Sequence, residues 1–160
     1  MTLASQPITL LAFDFGTLHI GVAVGQTVTS TATPNKEVRA RDGVPDWTDI
    51  EKLIHEWKPM LLLVGLPLNM DDTDNPITTR ARRFARQLHG RFHIRTLLID
   101  ERLTSVAARE RLRSRGIRAG RIHAGRDHPD YHGVAAQLIA ESWLHAPARD
   151  WPEAGAREID

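Results

Sequence analysis

Apolar residues recur along the chain in short runs separated by polar turns. The first run covers residues 8–13, and a second, rich in β-branched residues, covers residues 20–24 after a tight turn. A third extended segment is predicted from Val28 to Thr33, ending before Pro34. Short apolar runs bounded by Gly and Pro are typical of β-strands. The beginning of the chain therefore predicts three strands in an antiparallel meander.

The middle of the chain alternates between helical and strand patterns. Residues 35–46 are polar and contain Gly and Pro, so they predict a loop. Asp46 or Thr48 is suited to cap the helix that follows, because apolar residues then recur at helical spacing. The apolar runs at 60–64 and 93–99 predict strands, and the first of them has the continuous pattern of a strand covered on both faces.

Further helices are predicted in the second half of the chain. Asn75 and Pro76 are residue types that favour the N-cap and the first position of a helix. Two more helices are expected, at about residues 105–113 and from about residue 129. Between them, residues 114–128 combine Gly, Arg and His with little apolar pattern, and we expect a mobile basic loop there.

This order of elements predicts an α/β fold. A mixed five-stranded sheet would combine the antiparallel meander with two parallel strands and would be flanked by helices. We expect a single domain over residues 1–146, followed by a polar and frayed tail over residues 147–160. In such sheets, ligands bind beyond the carboxyl ends of the strands.

The composition narrows the class of protein. A chain of 160 residues suits one domain but not two lobes that close on a cleft. There is no Cys, which excludes disulfides, a thiol nucleophile and Cys-based zinc sites and fits a reducing compartment. No apolar run approaches the roughly 20 residues of a membrane span, and no secretory signal begins the chain. We therefore expect a cytoplasmic protein without a membrane partner.

Arginine is concentrated in two parts of the chain, although the formal net charge is only +1. The first group is Arg80, Arg82, Arg83, Arg86, Arg91 and Arg95, and the second is Arg102, Arg109, Arg111, Arg113, Arg115, Arg118, Arg121 and Arg126. Arg suits bidentate contact with phosphate, so a polyanionic partner such as nucleic acid is one interpretation. The other is a solvated helix face, which most charge runs form.

Asp14 ends the first predicted strand, where a carboxylate is costly to bury without a compensating group. A divalent cation is one such group, and hydrogen bonds from the following turn are another. If the first strand is central and the fourth lies beside it, Asp14 emerges at the same edge of the sheet as Glu101, which follows the next parallel strand. Asp14 and Glu101 would then share one edge of the sheet, and two carboxylates there would make a cation site.

Three motifs carry a resemblance to a known family. DFGTLHIGVAVG covers residues 14–25, VGLPLNMD covers residues 64–71 and DERLT covers residues 100–104. In order and spacing they resemble the YqgF family over about residues 8–145. Its members are also called RuvX, and they are described as Holliday junction resolvases and as nucleases that mature the 5′ end of pre-16S ribosomal RNA. The resemblance implies the ribonuclease H fold and a phosphodiesterase that uses Mg²⁺ or Mn²⁺.

The resemblance also implies the metal ligands. These are Asp14, Glu101 and a third acidic residue at the start of the last helix, where this sequence departs from the family. The position of the usual Asp falls on His132, and Asp130 lies two residues earlier. His132 can ligate a metal or orient water, Asp130 can face the site instead, or catalysis is weakened or lost. A His ligand is expected to make Mn²⁺ a better cofactor than Mg²⁺.

The partners implied by the resemblance are nucleic acid, as structured RNA or branched DNA, and pre-ribosomal particles. The candidate contacts with nucleic acid are Thr17, Asn69, Arg102, Arg118, Arg121 and Arg126. Forming a turn is the alternative role of Thr17 and Asn69, and pairing with Glu101 is the alternative role of Arg102. A monomer and a homodimer are both compatible with the sequence.

Two rival classes share some of these features. The sequence Asp-x-Gly-Thr between two strands also opens the nucleotide-binding lobe of actin-like ATPases and sugar kinases, but those proteins need a second lobe. The stronger rival is a binding protein that keeps the fold and the Arg surface without a competent metal site. Loss of cleavage with intact RNA affinity in Asp14→Ala would favour the enzyme.

Overall fold

A computed structural model describes residues 7–104, 131–147 and 149–154. The strands of its sheet are β1 (Thr9–Asp14), β2 (His19–Gln26), β3 (Thr31–Arg41), β4 (Val44–Pro45), β5 (Leu61–Leu66) and β6 (Thr96–Asp100). The described helices are α1 (Trp47–Trp57), α2 (Pro76–Phe92) and α3 (Tyr131–His145), with a 3₁₀ turn at Glu101–Thr104. The helix predicted at residues 105–113 and the loop predicted at 114–128 lie outside the described residues.

The strands form one sheet in the order β4-β3-β2-β1-β5-β6. β1, β2 and β3 pair in antiparallel fashion, while β5 is parallel to both β1 and β6. The predicted combination of a meander with two parallel strands is therefore confirmed. The sheet has six strands rather than five because the chain adds the two-residue β4 to the outer edge.

The third strand was predicted in the wrong place. It runs over Thr31–Arg41, so most of the loop predicted at residues 35–46 is strand and hairpin. Pro34 does not end β3, because β4 reaches only Ala40 and Arg41 and leaves the outer edge of β3 unpaired at Pro34. Proline lacks a backbone N–H and is tolerated on such an edge. Val38, only 1% exposed, ties the extended strand to the core.

The helix starts follow their capping residues, as predicted. Asp46 caps α1 by accepting hydrogen bonds from the backbone N–H groups of Thr48 and Asp49. Asn75 caps α2 through a reciprocal capping box with Thr78, and Pro76 occupies the first turn. α2 ends at a left-handed His93, so β6 begins at Thr96 and not at residue 93 as predicted. None of the described helices is long and apolar enough to span a membrane.

Alternation along the central strands divides the core between the two faces of the sheet. On one face, Leu11 and Phe13 of β1 pack with Phe84 and other side chains of α1 and α2. On the other, Leu10 and Ala12 pack with the side chains of α3, which include the buried Trp143. Since successive side chains point to opposite faces, Asp14 lies on the α3 face.

The segment after α3 differs from the predicted frayed tail. Trp151 is 7% exposed, and its indole N–H donates to the Ala146 carbonyl. Residues 152–154 add an extended segment along β6, where the backbone N–H of Leu98 donates to the Pro152 carbonyl and that of Ala154 donates to the Thr96 carbonyl. Burial of an indole compensates for ordering these residues.

Candidate active site

Asp14 ends β1 at the carboxyl edge of the sheet, on the α3 face. Phe13 pairs with Val64 across the parallel ladder, so Asp14 follows at the level of Gly65 on β5. Neighbouring strands lie about 4.8 Å apart. The side chain is 14% exposed, which leaves its carboxylate largely screened from solvent but open to a ligand in the adjoining cavity.

Glu101 follows β6 directly and begins the 3₁₀ turn. Its carboxylate folds back over β5, since a Cβ added to Gly65 would overlap Glu101 Oε1 and would lie 2.5 Å from Ile139 Cδ1. Gly65 therefore leaves the space in which this carboxylate lies. Because Asp14 is level with Gly65 on the next strand, the two carboxylates occupy neighbouring positions on one face of the sheet.

His132 enters the same region from the first turn of α3. Its Nδ1 atom lies 3.5 Å from Asp14 Oδ2, and its side chain is also 14% exposed. α3 can approach this closely because a Cβ on Gly21 of β2 would overlap the His132 carbonyl oxygen. The missing side chain at position 21 thus lets the helix start directly on the sheet and brings His132 to Asp14.

These three side chains line one cavity of about 360 Å³. The other lining residues are Phe15, Gly16, Thr17, Leu18, His19, Pro67 and Ile77. The turn after β1 forms one wall, and Pro67 of the loop between β5 and α2 forms another. The cavity has room for a phosphate group together with bound water or ions.

His19 is a cavity residue that was missing from the predicted site. Its Nδ1 atom lies 3.0 Å from Glu37 Oε1, and its ring centroid is 5.7 Å from that of His132. The partnership with Glu37 could not be anticipated while residues 35–46 were interpreted as a loop. The sequence does offer one indication that His19 lies at the site, because this residue is next to the turn that follows Asp14.

Arg102 is held by the protein on several sides. Its guanidinium makes a bidentate contact with Asp100, with NH2 2.7 Å from Oδ2, and NH2 also lies 2.6 Å from Asp72 Oδ1. NH1 donates to the Asn69 carbonyl at 3.0 Å. The side-chain hydrogen bond from Arg102 holds the pKa of Asp100 below its ordinary value. Its carboxylate partners are Asp100 and Asp72, so a phosphate contact, the other predicted role, would require these bonds to open.

The loop between β5 and α2 is braced by its own polar side chains. Asn69 donates from Nδ2 to Thr73 Oγ1 and accepts at Oδ1 from Asn75 Nδ2. Thr78 Oγ1 donates to the Pro67 carbonyl at 2.6 Å. These bonds give Asn69 the turn-shaping role that was one of its two predicted roles, and they fix the wall formed by Pro67. Thr17 lines the cavity, and its carbonyl accepts from the Gly43 backbone N–H at 2.9 Å.

The donor atoms at this site suit a hard divalent cation, since Asp14 and Glu101 offer carboxylate oxygens into one partly enclosed space. Within the described ranges, no group of three or more His, Cys, Asp or Glu side chains has an arrangement that holds a metal ion. The predicted residues Asp130, Arg118, Arg121 and Arg126 lie outside those ranges. The described site therefore provides two carboxylates and an imidazole beside them.

Known proteins resemble this chain in both sequence and fold. The family model described as "RuvX: Holliday junction resolvase" matches residues 8–146. A protein of Aeromonas salmonicida named "Putative pre-16S rRNA nuclease" is 52% identical over 135 residues, which cover 84% of this chain and 93% of the relative. A protein of the same name from Yersinia pestis is 50% identical over 140 residues, which cover 88% and 96%.

The fold also resembles that of a protein whose structure has been solved. T. thermophilus RuvC in complex with a Holliday junction substrate aligns with a TM-score of 0.56, covering 91% of this chain and 99% of RuvC, at 11% sequence identity. A second structure of T. thermophilus RuvC aligns with a TM-score of 0.53. At this identity the likeness establishes the fold, and it confirms the predicted ribonuclease H-like architecture.

Proposed function

The chain belongs to the RuvX family, and from that premise we propose that it is a divalent-metal-dependent nuclease acting in 5′-end maturation of pre-16S rRNA. Its reaction is the hydrolysis of phosphodiester bonds, and the pre-rRNA substrate implies action in the cytoplasm. The observation that carries the proposal is the position of two carboxylates. Asp14 and Glu101 lie far apart in the sequence, yet both line one cavity on the same face of the sheet.

In this proposal, Asp14 and Glu101 hold the cation through their carboxylate oxygens. A divalent ion held there would neutralise charge on the scissile phosphate and lower the pKa of a bound water. The protein contributes a fixed arrangement: Asp14 is set by the end of β1, and Glu101 is set by the 3₁₀ turn and the open space over Gly65. Both walls of the cavity limit how a substrate phosphate can enter.

We assign His132 to the third position of the site. Its Nδ1 atom is close enough to Asp14 Oδ2 for the imidazole either to join the ligands of the same cation or to orient Asp14. Asp130, two residues earlier, is the other candidate for this position. The presence of His in place of an acidic residue also supports the rival class, a nucleic-acid-binding protein without cleavage activity.

A second candidate function is the resolution of branched DNA, because the matching family model carries the description of a Holliday junction resolvase. Cleavage of a precursor 16S rRNA containing its 5′ leader should be compared with cleavage of a synthetic four-way DNA junction. We expect efficient cleavage of the leader and little or no cleavage of the junction. Preferential and symmetric cleavage of the junction would establish the resolvase instead, and no cleavage of either would favour the binding protein.

The choice of metal tests the role of His132. We expect higher cleavage rates with Mn²⁺ than with Mg²⁺, because imidazole nitrogen suits the softer ion better. His132→Asp should retain cleavage and shift the preference towards Mg²⁺, since it supplies a hard oxygen donor in the same place. Rates of leader cleavage measured over a titration of each metal provide the comparison. An unchanged metal preference in His132→Asp would show that His132 is not a ligand.

A further inference from the structure

The β3–β4 hairpin lies against the mouth of the cavity. Its Ala40 backbone N–H donates to the Leu18 carbonyl, and its Gly43 backbone N–H donates to the Thr17 carbonyl, both at 2.9 Å. Thr17 and Leu18 themselves line the cavity. A chain that leaves the cavity past this turn would therefore meet the hairpin.

The face of the hairpin next to the cavity carries two positively charged side chains. His19 pairs with Arg39 across the β2–β3 ladder, so their side chains share a face, and Arg41 lies on that face two residues further along. Both arginines are exposed. No carboxylate in the described part of the chain pairs with either of them.

The acidic residues of the hairpin are occupied by other partners. Glu37 contacts His19, and Asp42 contacts Arg80, whose NH2 also donates to the Asp42 carbonyl at 2.7 Å. Among the described residues, no acidic side chain therefore competes with an anion for Arg39 and Arg41. Spacing of alternate residues along a strand is about 6.6 Å, which is close to the separation of successive phosphates in an extended nucleic-acid strand.

An apolar side chain stands beside this charge. Val44 is 63% exposed on β4, where it pairs with Arg41 and shares its face. Exposed apolar groups next to cationic groups suit unpaired nucleotides, whose bases are accessible, better than a duplex, whose bases are stacked inside.

We propose that Arg39 and Arg41, with Val44 beside Arg41, bind the phosphates and bases of a single-stranded segment of the substrate as it leaves the cavity. This assignment rests on the proposed nuclease function, because it extends the same site. It adds a property of the substrate that the catalytic residues do not specify: the strand is unpaired on the side of the hairpin.

The test is a binding measurement that does not depend on cleavage. Fluorescence anisotropy in EDTA would compare wild type with Arg39→Gln/Arg41→Gln, using a labelled unstructured 12-nucleotide RNA. We expect the affinity at 0.1 M salt to fall about 20-fold, and the slope of log affinity against log salt to decrease by about 1.4, as for two lost phosphate contacts. Arg39→Lys/Arg41→Lys should restore most of the binding, because a point charge also attracts phosphate.

Lys52→Gln/Lys58→Gln is the matched control. It removes the same charge from exposed positions on α1 and at its C-cap, on the opposite face of the sheet, and should change the affinity by less than about twofold because of screening. Equal losses in the two double variants, or no loss in Arg39→Gln/Arg41→Gln, would overturn the proposal. Failure of the nuclease proposal would appear separately, as absent cleavage in the assays that contain metal.

A second binding experiment, which compares single-stranded with duplex RNA, tests whether the bound strand is unpaired. The same RNA annealed to its complement should bind wild type at least about fivefold more weakly, and Val44→Ser should weaken binding of the single strand while leaving the duplex unchanged. Equal or tighter binding of the duplex would overturn the assignment to an unpaired strand.

Discussion

Replacing Asp14 with Asn is expected to reduce cleavage of the pre-16S leader by about 1,000-fold or more while the protein stays folded. Asn keeps the shape of the side chain, so the packing between β1, β5 and α3 is preserved. It removes the negative charge that makes the site attractive to a cation, and a carboxamide is a much weaker ligand for a hard ion. Single-turnover rates at saturating metal measure the loss in the chemical step.

Asp150→Asn is the matched control for this experiment. Asp150 is exposed and lies in the segment after α3, away from the cavity lining, so the same chemical change there should leave cleavage unaffected. RNA affinity in EDTA should be similar for wild type, Asp14→Asn and Asp150→Asn, since the proposed contacts with the strand lie on the hairpin. Retention of more than about a tenth of the wild-type rate in Asp14→Asn would contradict the assignment of Asp14 as a metal ligand.

The sequence pattern was informative about the centre of the sheet. An apolar run that ends in Asp14 and another that ends before Glu101 identify two strand ends, and parallel strands deliver such ends to one edge. The pattern does not show where each side chain lies in the folded protein. The space over Gly65 that admits the Glu101 carboxylate depends on β5 and α3 together, and Gly65 by itself suggested only the end of a strand.

The outer strand β3 was harder to predict because its residues are compatible with two different structures. Pro34 and the polar residues after it suggest a loop, yet the same residues suit an edge strand in which only one side forms a ladder. The error had a consequence for the site: with β3 ending at residue 33, neither Glu37 nor Arg39 would lie beside His19. Arg102 is a similar case, since its sequence neighbour Glu101 suggested a partner, whereas folding brings Asp72 from a distant loop.

Several residues of the site depend on positions where no side chain is present. Gly21 admits the start of α3, and Gly65 admits the Glu101 carboxylate. In both cases the contact involves a functional element that must approach the sheet closely. Loss of this clearance should therefore affect stability and activity together, unlike the loss of a charge at Asp14.

Gly21→Ala is the variant in which this effect should be largest. The added methyl group would overlap the His132 carbonyl oxygen, which is backbone in the first turn of α3 and cannot rotate away as a long side chain could. We expect the free energy of unfolding to fall by about 2–3 kcal/mol, the upper part of the range for overpacked cores. We also expect cleavage to fall, because α3 must move outward and carry His132 away from Asp14.

Gly90→Ala is expected to have the opposite effect on the free energy of unfolding. Gly90 lies in α2 with nothing within 4 Å of a Cβ at that position, so the substitution should raise the free energy of unfolding by about 0.5–1 kcal/mol and leave cleavage unchanged. Urea denaturation followed by circular dichroism measures both variants. Equal stability of Gly21→Ala and wild type would mean that α3 does not need the clearance at position 21. It would contradict our inference that this close contact positions His132.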